Sequence, residues 1–274
     1  MSGTGVVATR DGLRLSYRLA GSGPLLVCQP GGPGRAASYL RDLGGLTDRR
    51  TLVLLDSRGT GASDRPDDDE RLRFPHLAGD LEDLRNHLGL ARMDLLGHSA
   101  GAIVAQAYAA EHPDRVGRLV LVTPSGRLQD APDDTAEIVE RRRGEEGYAD
   151  ALAEYDRTGF ARPLMYGIWN DETAAHAAGA DSEMDGRAER AFHPPPGSVD
   201  TAAIVAGLRA VSGPVLVVAG TKDAATGVAA ARAVAASFPH ARLEVLDGLG
   251  HFPWVEQPAA FVPVVTEFLA SATV

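Results

Sequence analysis

The chain has 274 residues, a formal net charge of −10, 44% hydrophobic residues and a single cysteine. That length suits one large α/β domain with room for an inserted piece, and the acidic balance argues against nucleic acid or an anionic membrane surface as partner. One cysteine excludes an intrachain disulfide, no apolar run approaches the roughly 18 residues of a membrane span, and residues 1–5 show no basic patch ahead of an apolar block; the expectation is a cytoplasmic protein without a signal peptide.

Residues 6–9 and 13–19 read as two strands joined at Asp11-Gly12, a hairpin turn signal. Residues 24–29 are apolar and read as a strand buried on both faces, which makes Cys28 a structural thiol. Pro30-Gly31-Gly32-Pro33-Gly34 follows. A loop so rich in Gly keeps side chains away and leaves amide N–H groups free to point into a cavity, as an oxyanion hole requires. Residues 50–55 form the next buried strand, followed by Asp56-Ser57-Arg58-Gly59-Thr60-Gly61-Ala62-Ser63, in which a local Asp56–Arg58 ion pair is expected to hold the loop. Leu77, Leu81, Leu84 and Leu88 recur at helical spacing over 75–88, and Gly89 stops that helix.

The apolar stretch Met93-Asp94-Leu95-Leu96 then runs into Gly97-His98-Ser99-Ala100-Gly101, and 102–109 reads as a helix. Strand, Gly-x-Ser-x-Gly and helix together are the setting of a nucleophile elbow, in which small flanking residues let a serine occupy a strained turn. Residues 116–122 are another buried strand. Residues 127–200 break the rhythm: they read as helices near 136–143, 148–158 and 171–180, and carry −9 of the net charge. Most of those charges are expected to be solvated surface. The segment is taken as a helical lid inserted after the sixth strand, between core segments 1–126 and 201–274. The core pattern resumes with a helix over 199–211, a buried strand over 214–220, a helix over 226–238, a strand over 241–246 and a closing helix over 258–270. The fold class is α/β, a mostly parallel sheet flanked by helices.

In such sheets ligand sites gather at the C-terminal ends of the strands. Serine needs a base to take its proton, and the base works best when a carboxylate holds its tautomer. Of eight histidines, His98 is fixed beside Ser99, His76 and His87 belong to the first helix, His112 and His240 adjoin helix ends, and His176 and His193 fall in the lid. Only His251 follows a late strand in a Gly-flanked loop, so it is the expected base. Asp223, just past the strand over 214–220, is preferred as the acid to Asp247, which opens the same loop as His251. The order Ser99, Asp223, His251 is that of α/β hydrolases.

The elbow, the Gly220-Thr221-Lys222-Asp223 turn and the Gly250-His251-Phe252-Pro253-Trp254-Val255-Glu256-Gln257-Pro258 stretch together resemble the α/β-hydrolase family from end to end. Pro30–Gly34 and Asp56–Ser63 are similar to the His-Gly-Gly-Pro-Gly and Asp-x-Arg-Gly-x-Gly-x-Ser motifs of its proline iminopeptidase branch, with Pro30 in place of the histidine. The resemblance implies oxyanion donors at the amides of Gly32 and Ala100. It also implies a lid whose carboxylates bind the free amine of a peptide. Ile168-Trp169-Asn170 resembles that branch's Trp-Glu lid motif, but Asn170 stands where the glutamate would be, which leaves Trp169 and Glu172, or another lid acid, as candidate substrate-binding residues.

The expected function is a serine hydrolase working through an acyl-enzyme, either an aminopeptidase or an enzyme acting on a small ester, lactone or C–C bond. Two other readings stand beside it: a ligand-binding protein with a vestigial triad, and a cofactor-free lyase or synthase using His251 without acylation. None of these calls for a metal or cofactor, and the partner expected is a small molecule or short peptide.

Overall fold

Uninterrupted apolar strands need cover on both faces, and the folded chain provides it. The computed structural model describes residues 2–271; Met1 and 272–274, the outer ends of the two expected core segments, lie outside that range. Eight strands form one sheet: β1 (Gly3–Ala8), β2 (Arg14–Gly21), β3 (Leu25–Gln29), β4 (Thr51–Leu55), β5 (Met93–His98), β6 (Val116–Val122), β7 (Val215–Gly220) and β8 (Ala241–Leu246). Their spatial order is β1-β2-β4-β3-β5-β6-β7-β8. Strand β2 runs antiparallel to both β1 and β4, and every other pairing is parallel.

The helices are α1 (Phe74–His87), α2 (Gly101–Glu111), α3 (Thr135–Arg141), α4 (Ala149–Thr158), α5 (Asp171–Glu183), α6 (Gly186–Ala191), α7 (Thr201–Gly207), α8 (Gly227–Ala236), α9 (Pro253–Glu256) and α10 (Pro258–Ala270). Side chains alternate across each strand, so the sheet builds two cores. Val27, Val53, Leu95, Leu119 and Val217 pack with α1, α2 and α8 on one side. Leu26, Cys28, Leu52, Leu96, Val120 and Leu216 pack with α9 and α10 on the other. Each such side chain contributes about 1.5–3 kcal/mol by leaving water. Cys28 is fully buried, and burial pushes its thiol far above the ordinary range.

Two expectations are corrected, and one helix is new. Asp56 and Arg58 do not pair. Asp56 accepts the amides of Ala37 (2.9 Å) and Ala62 (3.1 Å). The Arg58 guanidinium, 2% exposed, instead reaches Asp80 on α1 (Nε–Oδ2 2.7 Å) and Asp11 in the β1–β2 turn (2.9 Å). A buried cation needs buried partners, and a neighbour already occupied by loop amides is not one. The helix over 199–211 is shorter: Asp200 caps the Ala203 amide, α7 stops at Gly207, and a 3-10 turn covers Leu208–Ala210. Helix α6 was not anticipated; Asp185 starts it by accepting the amides of Arg187 and Ala188.

Segment 127–200 lies between β6 and β7 and holds α3–α6 without a strand among the described residues. It is tied to the core at several places, two of which lie beside the strand ends. Near β3, Arg35 pairs with Glu183 (2.7 Å), and the Ala36 amide donates to the Glu183 carbonyl while the Asp185 amide donates to the Gly34 carbonyl. Near β8, the His251 amide donates to the Met165 carbonyl (2.6 Å). No helix among the described residues is long and apolar enough to cross a membrane.

Candidate active site

The elbow is built from close contacts that only glycine permits. A Cβ on Gly97 would lie 2.8 Å from the Gly101 carbonyl, and one on Gly101 would lie 2.4 Å from the Pro30 carbonyl. Between them Ser99 has φ +54°, a conformation that costs a non-glycine residue about 1–3 kcal/mol and is held here by its surroundings. The Ser99 amide donates to the Val122 carbonyl at 3.0 Å, which pins the turn to β6. Ala100 is the N-cap of α2, so its amide sits at the positive end of a helix whose every residue from Gly101 to Ala109 is buried.

Gly31 and Gly32 come up against this turn from β3. A Cβ on Gly31 would lie 2.9 Å from Ser99 Cβ and 3.2 Å from the Ala100 nitrogen. Gly32 takes φ +120° and lines the same cavity as Ser99. The amides of Gly32 and Ala100 donate to no acceptor among the described residues.

His251 and Asp223 meet from the ends of β8 and β7. His251 Nδ1 lies 2.9 Å from Asp223 Oδ2, with the two side chains 3% and 1% exposed. Asp223 also accepts from the Thr226 hydroxyl (2.7 Å) and from the amides of Ala225 (2.8 Å) and Thr226 (3.2 Å). Burial works to raise the Asp223 carboxyl, but the His251 charge and these hydrogen bonds prevail and hold it below the usual range. An ionised carboxylate only accepts, so His251 Nδ1 carries the proton and Nε2 is the basic nitrogen. Asp247 takes no part: it accepts from the Thr221 hydroxyl at 3.1 Å on the exposed side of the turn.

Ser99, His251, Gly32 and His98 line one cavity of about 520 Å³. Its walls are mostly aromatic and aliphatic, with Tyr39, Tyr166 and Phe252 on one side and Met165, Met184 and Phe160 toward the helical segment. Arg35, Arg162, Asp181 and Glu189 are its charged residues. A larger open cleft of about 720 Å³ shares Ala225 and Thr226 with it but touches neither Ser99 nor His251, so the smaller one is the candidate site. Among the described residues no group of His, Cys, Asp or Glu is placed to hold a metal ion.

Neither lid residue singled out from the sequence reaches this cavity. Trp169 packs edge-on against Tyr166 with ring centroids 5.4 Å apart, and Glu172 pairs with Arg41 (3.4 Å) on the exposed surface. Asn170 is a helix cap, its side chain accepting the Thr173 amide at 3.0 Å while the Thr173 hydroxyl accepts the Asn170 amide. Much of the segment's negative charge is paired: Glu145 with Arg142 and Lys222, Asp156 with Arg143, Glu183 with Arg35. Of the two acids that line the cavity, Asp181 pairs with Arg162 (2.7 Å), whereas Glu189 has no ion-pair partner among the described residues.

Sequence reasoning placed Glu256 in the family-like stretch after His251 but gave it no role. This 7% exposed carboxylate accepts four backbone amides: Gly167 (2.8 Å), Ile168 (3.2 Å) and Gly250 (2.9 Å) at Oε2, and Phe252 (3.1 Å) at Oε1. Burial pushes its carboxyl up, against the pull of the amides. It therefore clamps the chain on both sides of His251 to the inserted segment. The available signal was an acid closing the otherwise apolar run Phe252-Pro253-Trp254-Val255. Glu256→Gln keeps the shape but sets an NH₂ donor against N–H donors. The expected cost is about 1–3 kcal/mol of stability, read in urea unfolding, together with a lower kcat. Unchanged stability and kcat would remove the clamp.

A mostly parallel sheet with a serine elbow after its fifth strand and a histidine after its last defines the α/β-hydrolase class. A family model described as the alpha/beta hydrolase fold matches residues 24–258, and the chain belongs to that family; it is a hydrolase. It is 32% identical over 267 residues to a 2-hydroxymuconate semialdehyde hydrolase of Pseudomonas putida, covering 92% of this chain and 85% of the other. It is 25% identical over 269 residues to a proline iminopeptidase of Heyndrickxia coagulans, covering 92% of both. Among solved structures it is similar to the enol-lactonase from Burkholderia xenovorans, with a TM-score of 0.72, 25% identity, and coverage of 97% of this chain and 100% of that one.

Proposed function

We propose that the protein is a serine hydrolase acting on a small carbonyl compound with apolar substituents, an ester or lactone. The observation that carries this reading is the 2.9 Å contact between His251 Nδ1 and Asp223, which leaves Nε2 the basic nitrogen in the cavity that the strained Ser99 also lines. Ser99 Oγ forms a bond to the carbonyl carbon while His251 Nε2 takes its proton. The amides of Gly32 and Ala100 hold the oxyanion; losing one such donor costs about 10²–10³ in rate. His251 returns the proton to the leaving oxygen as that bond breaks. It then takes a proton from water as the water oxygen attacks the acyl carbon, and gives it to Ser99 Oγ as the acyl–oxygen bond breaks and the acid leaves. The aromatic and methionine walls favour apolar acyl and alcohol parts. The enol-lactonase and the 2-hydroxymuconate semialdehyde hydrolase among its relatives are in keeping with a small carbonyl substrate.

A second reading, an aminopeptidase, draws on Glu189, the unpaired carboxylate at the cavity. Three substrates separate the two: a short-chain nitrophenyl ester, a proline anilide with a free amine, and its N-acetylated twin. Under the first reading the ester is hydrolysed and neither anilide is. Cleavage of the free-amine anilide alone would replace it with the second. A fluorophosphonate should label Ser99, and failure to label it would overturn both.

A further inference from the structure

Two buried polar side chains beside the cavity have no part in the steps above. Tyr39 is 2% exposed and His98 1%, and both line the cavity wall. The Gly31 amide donates to the Tyr39 hydroxyl oxygen at 2.7 Å. Tyr39 Oη lies 2.7 Å from His98 Nδ1, and His98 Nε2 lies 3.1 Å from the His251 carbonyl oxygen. The Thr123 hydroxyl donates to that same carbonyl at 3.1 Å.

Donor counting orders this chain. It starts at an amide, which can only donate, and ends at a carbonyl, which can only accept. The Tyr39 oxygen receives the Gly31 proton and so gives its own to His98 Nδ1. That nitrogen is unprotonated, and Nε2–H donates to His251. The chain cannot run the other way. A protonated His98 would leave the Tyr39 hydroxyl hydrogen without an acceptor. Burial first, and then the His251 charge nearby, hold His98 well below its ordinary value, which agrees with a neutral ring.

The two ends of the chain matter for the chemistry. Gly31 precedes Gly32 and leaves no room for a Cβ between itself and Ser99 Cβ and the Ala100 nitrogen. His98 is the elbow residue next to Ser99, and its ring lies 4.7 Å from that of His251, centroid to centroid. Three loops arriving from β3, β5 and β8 therefore share one line of hydrogen bonds. A buried line of this kind is rigid when complete, and losing one member strands the others.

We propose that Tyr39 and His98 are positioning residues whose one-way hydrogen-bond chain holds the Gly31–Gly32 loop, the Ser99 elbow and the His251 backbone in register. The proposal rests on the reading of Ser99, His251 and Asp223 given above. Tyr39 and His98 touch no reacting atom; they act through the Gly32 amide and the His251 ring.

Two measurements test it on the intact chain. Tyr39→Phe keeps the ring that packs on Arg35, Phe252 and Trp254 and removes only the hydroxyl, stranding the Gly31 amide and His98 Nδ1. With the ester substrate, kcat should fall about 10- to 100-fold, as small misplacements of reacting groups do, while KM stays within about threefold. An unchanged kcat, or a higher KM with kcat intact, would overturn the proposal by making Tyr39 a wall of the cavity and nothing more. The second measurement needs neither a variant nor turnover. In ¹⁵N-labelled wild type, His98 should show a single neutral tautomer with the proton on Nε2; a proton on Nδ1 would overturn the chain even if Tyr39→Phe does not fold. Failure of the function reading is separately visible as absent fluorophosphonate labelling, which leaves the tautomer measurement intact.

Discussion

Turnover of the nitrophenyl ester is expected to fall by a factor on the order of 10⁵ in Ser99→Ala, as in other enzymes that lose an acylated serine. The fold should survive. Alanine is no larger than serine, the turn is held by Gly97, Gly101 and the bond from the residue-99 amide to Val122, and no hydrogen bond of the Ser99 side chain is given up. A melting temperature within about 2 °C of wild type would confirm an intact elbow. The size of the loss discriminates among mechanisms. An enzyme that uses only His251 as a base, with the Gly32 and Ala100 amides stabilising an enolate, would keep much of its rate without a serine oxygen. Residual turnover above about a tenth would therefore move the assignment from acyl transfer to proton abstraction.

Asp223→Asn should lower kcat by about 10⁴ and leave KM within a few-fold. The amide oxygen can still accept from Ala225 and Thr226, so the loop keeps its shape. The amide nitrogen, however, faces His251 Nδ1 as a donor, and the ring answers by moving its proton to Nε2, where a base is needed. A loss of only about tenfold would mean that Asp223 is not what sets the tautomer. The stability profile supplies a second check. The folded carboxyl lies below its unfolded value, so it contributes stability above the unfolded pKa that is lost as pH falls through the folded one. Wild type should therefore lose stability on acidification below about pH 4 more steeply than Asp223→Asn.

Much of the molecule was legible residue by residue. Each parallel strand appears as an apolar run because both of its faces are covered, and the elbow appears as Gly97-His98-Ser99-Ala100-Gly101 because its contacts are backbone contacts that only small residues allow. The order serine, aspartate, histidine was readable because each residue stands in a short loop after its own strand. Local rules of this kind depend on neighbours in the chain, and neighbours are what a sequence displays.

The lid was not legible in the same way. Trp169 and Glu172 were singled out by resemblance to a motif, yet the helix they border turns Glu172 to solvent against Arg41 and uses Asn170 as its cap. Net charge was a poor guide to the cavity, because many of the acids of 127–200 meet an arginine, some far from them in sequence and some close by on the same helix. Arg58 was likewise expected to pair two residues away and pairs instead with Asp80 and Asp11.

By itself, then, the sequence determined where the strands fall, the elbow turn and which three candidate residues stand in loops after strands, since apolar runs and tight turns are imposed within a few residues. Tertiary structure alone decided how those residues are held. Glu256 gathers amides from positions 167, 168, 250 and 252, and Tyr39 joins Gly31 to His98 and through it to His251. A buried polar atom must find its partner wherever the fold brings one within about 3 Å, and that distance is set by how the loops pack, not by their spacing along the chain.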